Sequence, residues 1–255
     1  RVEAALALTQ VVWNGTSLLG PAIAGIVIAN ADLAWAYGID LVTYGAMLAA
    51  AISVRPMPPE RAEGVARGWP AVKEGFGYLR GRRILQSTFV IDIIAMVFGM
   101  PRALFPILAL RQFHAGPEIV GLLFAAPAVG AFVGALTTGW VKHVRRQGAA
   151  VLWSVAVWGA GIAAFGLVGD NLPLALFFLA LAGMADVISA VFRNTILQLS
   201  VPDALRGRLS GIHILVVTGG PRLGDLEAGL GATAFSRAVS VVSRGLLCIL
   251  GTAAV

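Results

Sequence analysis

The chain has 255 residues, 58% of them hydrophobic and 13% charged, with a mean hydropathy of +0.85, whereas a soluble domain carries about 25% charged residues. This balance excludes an ordinary soluble domain and indicates an integral membrane protein, a reading that the 31 glycines and 12 prolines also fit. The formal charge of +6 does not indicate nucleic acid, because the basic residues fall mostly in short loops between apolar runs, and the single Cys248 excludes an intrachain disulfide and a cysteine metal site.

In chain order, eight apolar runs come close to the roughly 20 residues needed to cross a bilayer. They are residues 5–29, 35–54, 86–110, 117–141, 149–168, 173–199, 209–232 and 238–255. Strands are not expected: the runs are long and rich in Ala, Leu and Gly, and none alternates as a barrel strand would. The class read from the sequence is all-α, a polytopic membrane helix bundle. The chain enters its first apolar run directly after Arg1-Val2-Glu3, without a signal-peptide pattern, and reaches Val255 inside another. Both ends are expected to be cut from a longer protein.

Arg55 to Arg83 is the one long polar interval, with seven basic residues against Glu60, Glu63 and Glu74. Ionised side chains at bilayer depth cost roughly 2.5–3.5 kcal/mol each, so this interval lies in water. Within it Trp69, Val72, Phe76 and Leu79 follow helical spacing and predict a short amphipathic helix at the membrane surface. Alternating the eight spans puts thirteen basic residues on the side of this interval and only Arg111 and Arg237 on the other. By the positive-inside rule the interval and both chain ends are expected in the cytoplasm.

Charges inside spans are costly and usually face a cavity or a partner. Asp186 and Arg193 stand two turns apart with Ser189 between them on one face, predicting an inward polar stripe. Asp92 lies early in its span, ten residues before Arg102, which sits between Pro101 and Pro106. Arg222, Asp225 and Glu227 follow Gly219-Gly220-Pro221, where a helix break is expected to open a cavity, and the spacing of Arg222 and Asp225 suits a local pair. Asp92 and Glu227 have no partner nearby in sequence and are the stronger candidates for proton exchange. Each set can alternatively lock helices together. His114, His143 and His213 are not at metal-site spacing, and His213 reads as a packed or cavity-lining residue. No P-loop or nucleophile–base motif is present, so neither ATP nor any other cofactor is expected.

Three stretches carry a family resemblance. ALTQVVWNGTSLLGPAIAGIVIA holds Asn14, Gly20, Pro21 and Gly25; VPDALRGRLSG runs from Val201 to Gly211; GGPRLGDLEAG runs from Gly219 to Gly229. Together they resemble the fifth helix, the loop between helices ten and eleven, and the eleventh helix of a major facilitator superfamily transporter, in the branch of enterobactin exporters and transmembrane secretion effectors. The resemblance implies that the chain corresponds to helices 5–12 of twelve: residues 1–54 as the last two helices of a first bundle, 55–85 as the cytoplasmic inter-bundle loop and 86–255 as a second six-helix bundle. It implies a secondary active transporter in the bacterial inner membrane, exporting a siderophore or drug-like molecule by alternating access. The lipid bilayer, a small-molecule substrate, protons as coupling ion and the missing N-terminal helices are its implied partners.

Gly20, Pro21 and Gly25 resemble the superfamily's antiporter motif, although Thr16 stands where that motif has a glycine and its second terminal glycine is absent. Gly139, Lys142, Arg145 and Arg146 occupy the place of a cytoplasmic gating loop, with His143 at its acidic position; Arg206, Gly207 and Arg208 form a similar loop with Asp203 nearby. The alternatives are a membrane-embedded enzyme, which lacks a clustered catalytic set, and a fragment without transport activity of its own.

Overall fold

The computed structural model describes residues 16, 19–54, 69–234 and 237–254, and within them every regular element is helical. The helices are α1 (Leu19–Asn30) and α2 (Leu33–Ser53), then α3 (Trp69–Leu79), α4 (Arg83–Phe98), α5 (Phe105–Arg111) and α6 (Pro117–Thr137). They continue with α7 (Gln147–Leu167), α8 (Leu172–Ser200), α9 (Asp203–Ala234) and α10 (Arg237–Ala253). Short 3₁₀ turns at Arg102–Leu104 and Thr138–His143 extend α5 and α6. Five stretches are long and apolar enough to cross a membrane: Leu33–Ser53, Arg83–Arg111, Pro117–Val141, Gln147–Leu167 and Leu172–Ser200. Helices α1 and α10 are shorter and apolar, and α9, at 32 residues, is long but carries charge. Asn14 and most of the polar interval, residues 55–68, lie outside the described residues.

The core lies among α4 to α10, where Phe105, Leu108, Leu123, Val155, Ile162, Phe165, Leu179 and Phe192 are buried. Small residues set its helix crossings. A Cβ on Gly130 would lie 1.7 Å from the Ala180 carbonyl oxygen, and one on Gly183 would lie 2.0 Å from that of Pro127, so α6 and α8 meet backbone to backbone. Gly159 and Gly245 do the same for α7 and α10. Between apolar helices in lipid, such close approach supplies the dispersion contacts that hold a bundle together. Helix α2 has no buried residue; its first turn is capped by Asp32, which accepts from the amides of Ala34 and Trp35 at 2.8 and 3.2 Å.

Residues 86–110 lie in one apolar stretch but not in one continuous helix. Helix α4 stops at Phe98, and Gly99, Met100 and Pro101 turn the chain before α5 resumes. A Cβ on Gly99 would lie 2.2 Å from the Ala95 oxygen and 2.5 Å from the Trp158 ring, so only glycine fits this turn. Pro101 has no N–H to offer the carbonyl of Val97 four residues earlier. The expected break at Gly219-Gly220-Pro221 is absent: α9 runs through Pro221. Gly220 precedes that proline without a Cβ to clash with its ring. Its own surface abuts Met96 of α4, where a Cβ would come within 2.6 Å, and Gly224 abuts the Val97 oxygen in the same way. These glycines allow close approach, not a bend.

The amphipathic helix of the polar interval is α3. Gly75 and Leu79 are buried and Val72 and Tyr78 half-buried, while Trp69 and Phe76 are exposed, so the packed face is rotated from the expected Trp69–Phe76 edge. It docks on α9 through Gly75 against Ile212 and through the Glu74–Arg208 ion pair, and on the end of α8 through the Tyr78 hydroxyl, which donates to the Ser200 carbonyl at 3.3 Å.

Candidate functional site

A cleft of about 350 Å³ opens where α1, the break after α4, α6 and α8 converge, lined by Pro21, Met100, Arg102, Phe124, Pro127 and Asp186 among others. The break puts Arg102 there, and the tight α6–α8 crossing at Gly183 puts Asp186 beside it. A second, apolar hollow of about 360 Å³ adjoins the cleft, sharing Pro21 and Phe124 and extending past Gly25, Pro106 and Val120. Gly25 and Gly121 meet closely on its wall: a Cβ on Gly25 would lie 3.0 Å from the Gly121 Cα. Of the antiporter-like motif, Pro21 and Gly25 therefore line these hollows, while Gly20 faces open space.

From the cleft a chain of charges runs inward. Asp186 is about one-third exposed, and its Oδ1 lies 3.6 Å from Nη2 of Arg193. Arg193 is buried, and its Nη1 lies 2.6 Å from Oδ1 of Asp92, which has no exposed surface. The other carboxylate oxygen of Asp92 lies 3.2 Å from Nδ1 of His213. The ring of His213 stands edge-on to Phe89, with centroids 6.2 Å apart. The expected stripe of Asp186, Ser189 and Arg193 is thus present, and Ser189 is fully buried on it. Asp92, which has no partner nearby in sequence, is flanked by two. Its partners lie 101 and 121 positions away on α8 and α9, beyond the reach of local sequence spacing.

A second cluster is built on Arg244, fully buried in α10. Its guanidinium is ion-paired with Glu227 and donates to the carbonyls of Gly224 at 2.7 Å and Val97 at 2.8 Å. Glu227, the other residue without a partner nearby in sequence, is therefore held from α10. Asp225 does not pair with Arg222: its Oδ1 accepts from the Ala103 amide at 3.1 Å, capping the 3₁₀ turn that carries Arg102, and Arg222 is exposed. The sequence reading missed Arg244 and His213 as partners. Arg244 was visible as a lone cation in an apolar run, but its counter-charge stands 17 residues earlier on another helix.

At the ends of the helices, Arg145 and Arg146 are exposed, and Gly139 and Gly207 face open space. Arg208 pairs with Glu74. The side chains of Lys142, Asp203 and Arg206 are outside the described residues, and among the described residues no group of His, Cys, Asp and Glu is arranged to hold a metal ion.

The chain is similar over most of its length to bacterial enterobactin exporters. It is 32% identical to the enterobactin exporter of Citrobacter koseri over 252 residues, which is 96% of this chain and 58% of that protein. It is 30% identical to the enterobactin exporter of Shigella boydii and 29% to that of Escherichia coli, each over 248 residues, with the same coverage. The chain thus spans 58% of the length of these relatives. Residues 1–255 match the family of transmembrane secretion effectors. With five long apolar helices and that match, the chain is a multi-pass membrane protein belonging to the transmembrane secretion effector family of the major facilitator superfamily.

Proposed function

We propose that the protein is a proton-coupled exporter of a siderophore or drug-like small molecule, working by alternating access in the bacterial inner membrane. The observation that carries this reading is the cleft between Arg102 and Asp186, from which a buried chain of charges leads to Asp92. Buried ions are expensive unless paired, so a group that changes charge here changes which helix arrangement is stable. In this reading α1 and α2 belong to a first bundle whose other helices precede them. Residues 86–255 form the second bundle, the polar interval is the cytoplasmic connection, and both ends of the chain are cytoplasmic. The substrate sits between the bundles, where Arg102 or Asp186 meets its polar groups and the adjoining hollow takes its apolar part. Protonation of a carboxylate in the chain biases which side is open.

The similarity to enterobactin exporters makes enterobactin the first substrate to test. In a host lacking its own exporter, the full-length protein is expected to expel enterobactin or a member of a panel of siderophores and drugs. Asp186→Asn should remove that efflux with membrane insertion intact; normal efflux by the variant would remove Asp186 from the pathway.

A further inference from the structure

We infer that the groove between the starts of α4 and α7 binds an anionic phospholipid, with its phosphate at Arg83 and an acyl chain in the groove. The two helices touch near Gly99, where a Cβ would lie 2.5 Å from the Trp158 ring. Toward their starts they part and leave a hollow of about 270 Å³. Arg83, Ser87 and Gly148 line it at the helix starts, and Ile91, Val151 and Ile196 line it deeper along the helices.

The two parts of this groove ask for different chemistry. Its floor is apolar, since Ile91, Val151 and Ile196 are buried, while Ile84 and Leu152 stand exposed on its rims. Water there would find almost none of the polar partners it needs, so in a bilayer hydrocarbon fills the space. Trp153 is exposed within the first two turns of α7, at the level of the membrane interface where tryptophan is enriched.

The mouth is basic. Arg83 is exposed and has no ion-pair partner among the described residues. Arg82 beside it is turned away: its guanidinium lies 3.5 Å from the centre of the Tyr78 ring and donates to the Tyr78 carbonyl. Arg145 and Arg146, both exposed, immediately precede α7. No acidic residue stands in the first turn of α4 or α7 or on the lining of the groove. The apolar hollow beside the cleft differs, because Glu118 stands next to its Gly116–Pro117 wall.

Basic pockets between membrane helices suit anionic headgroups. A free oxyanion would meet the arginines but leave the groove unfilled, and a zwitterionic lipid would bring a cation to them. An anionic diacyl lipid answers both parts and joins α4 to α7 where the helices themselves do not meet. In the proposed topology this is the cytoplasmic leaflet, but the binding does not depend on that reading.

The test is native mass spectrometry of the full-length protein titrated with dioleoyl phosphatidylglycerol or dioleoyl phosphatidylcholine. Phosphatidylglycerol should bind more tightly. Arg83→Gln should weaken it about fivefold, the loss of one basic contact with an anionic headgroup. Gly148→Phe fills the groove and leaves every arginine in place, and it should weaken binding comparably. Both positions are exposed, and nothing lies within 4 Å of a Cβ on Gly148, so neither change disturbs the core. Arg111→Gln, at the exposed end of α5, should leave binding unchanged, and excess inorganic phosphate should not displace the lipid. Equal binding of the two lipids, or unchanged affinity in Arg83→Gln, overturns the inference. So does a loss in Arg83→Gln with none in Gly148→Phe, which means surface attraction only, or displacement by phosphate, which means a site for a free oxyanion.

Discussion

Arg244 and Val97 are joined across α10 and α4: the guanidinium Nη2 donates at 2.8 Å to the carbonyl whose own helical donor would have been Pro101. The break in α4 leaves that carbonyl bare in the bundle interior, where an unmet polar group costs several kcal/mol. Gly224 makes the meeting possible, since a Cβ there would lie 2.4 Å from the same oxygen. One arginine thus satisfies two backbone carbonyls and one carboxylate, from Glu227, and ties α4, α9 and α10 at the turn that presents Arg102.

Arg244→Gln is therefore expected to destabilise the protein by about 3–5 kcal/mol, the range for removing one partner of a buried ion pair. Thermal unfolding in detergent, followed by size-exclusion recovery after heating, measures it. Glu227→Gln should cost less, because Glu227 is 40% exposed and the two carbonyl contacts of Arg244 remain. If Arg244→Gln unfolds at the wild-type temperature, the cluster has no structural weight.

Arg193 poses a different problem, because two carboxylates depend on it. Arg193→Met leaves Asp92 buried without its closest counter-charge and should also cost about 3–5 kcal/mol. Asp92→Leu combined with Arg193→Met replaces the pair by apolar groups and should recover most of that stability, as buried ion pairs replaced together often do. Efflux should be lost in both variants. Recovery of efflux in the double variant would mean that the pair serves only to hold α4 against α8.

Much of this was legible in the sequence, and the limits are physical. The long apolar stretches and the helical spacing of α3 depend on local composition, so they could be read. The inward stripe of Asp186 and Arg193 could be read because both lie on one helix. Pairings between helices could not: Asp92, Glu227 and Asp225 find partners on other elements, and local spacing is silent about them. Helix breaks were misplaced for a related reason. Gly-Gly-Pro in α9 and Gly-Met-Pro after α4 look alike locally, and the neighbours decide, with Trp158 crowding Gly99 and Met96 seating Gly220.

The α6–α8 crossing makes a prediction of its own. A Cβ on Gly183 would lie 2.0 Å from the Pro127 oxygen, a backbone atom that cannot rotate away. Gly183→Ala should force the helices apart at a cost of about 1–3 kcal/mol, the usual range for overpacking, and should widen the cleft that holds Asp186. Gly139→Ala, where nothing lies within 4 Å, is the control and should unfold like the wild type. Equal stability of the two variants would mean that the crossing is looser than described.

Asp225 separates an acceptor from a charge. Its Oδ1 accepts from the Ala103 amide at the start of the 3₁₀ turn that carries Arg102, a role in which an asparagine oxygen serves nearly as well as a carboxylate. Asp225→Ala should lose about 0.5–2 kcal/mol, the cost of deleting a helix cap. It should also raise the substrate concentration needed for half-maximal efflux, because Arg102 loses its fixed backbone. Asp225→Asn should keep both properties near wild type. If Asp225 were instead a proton carrier, the asparagine variant would lose pH-driven efflux as completely as the alanine variant, and measuring efflux by both against an imposed pH gradient decides between the two roles.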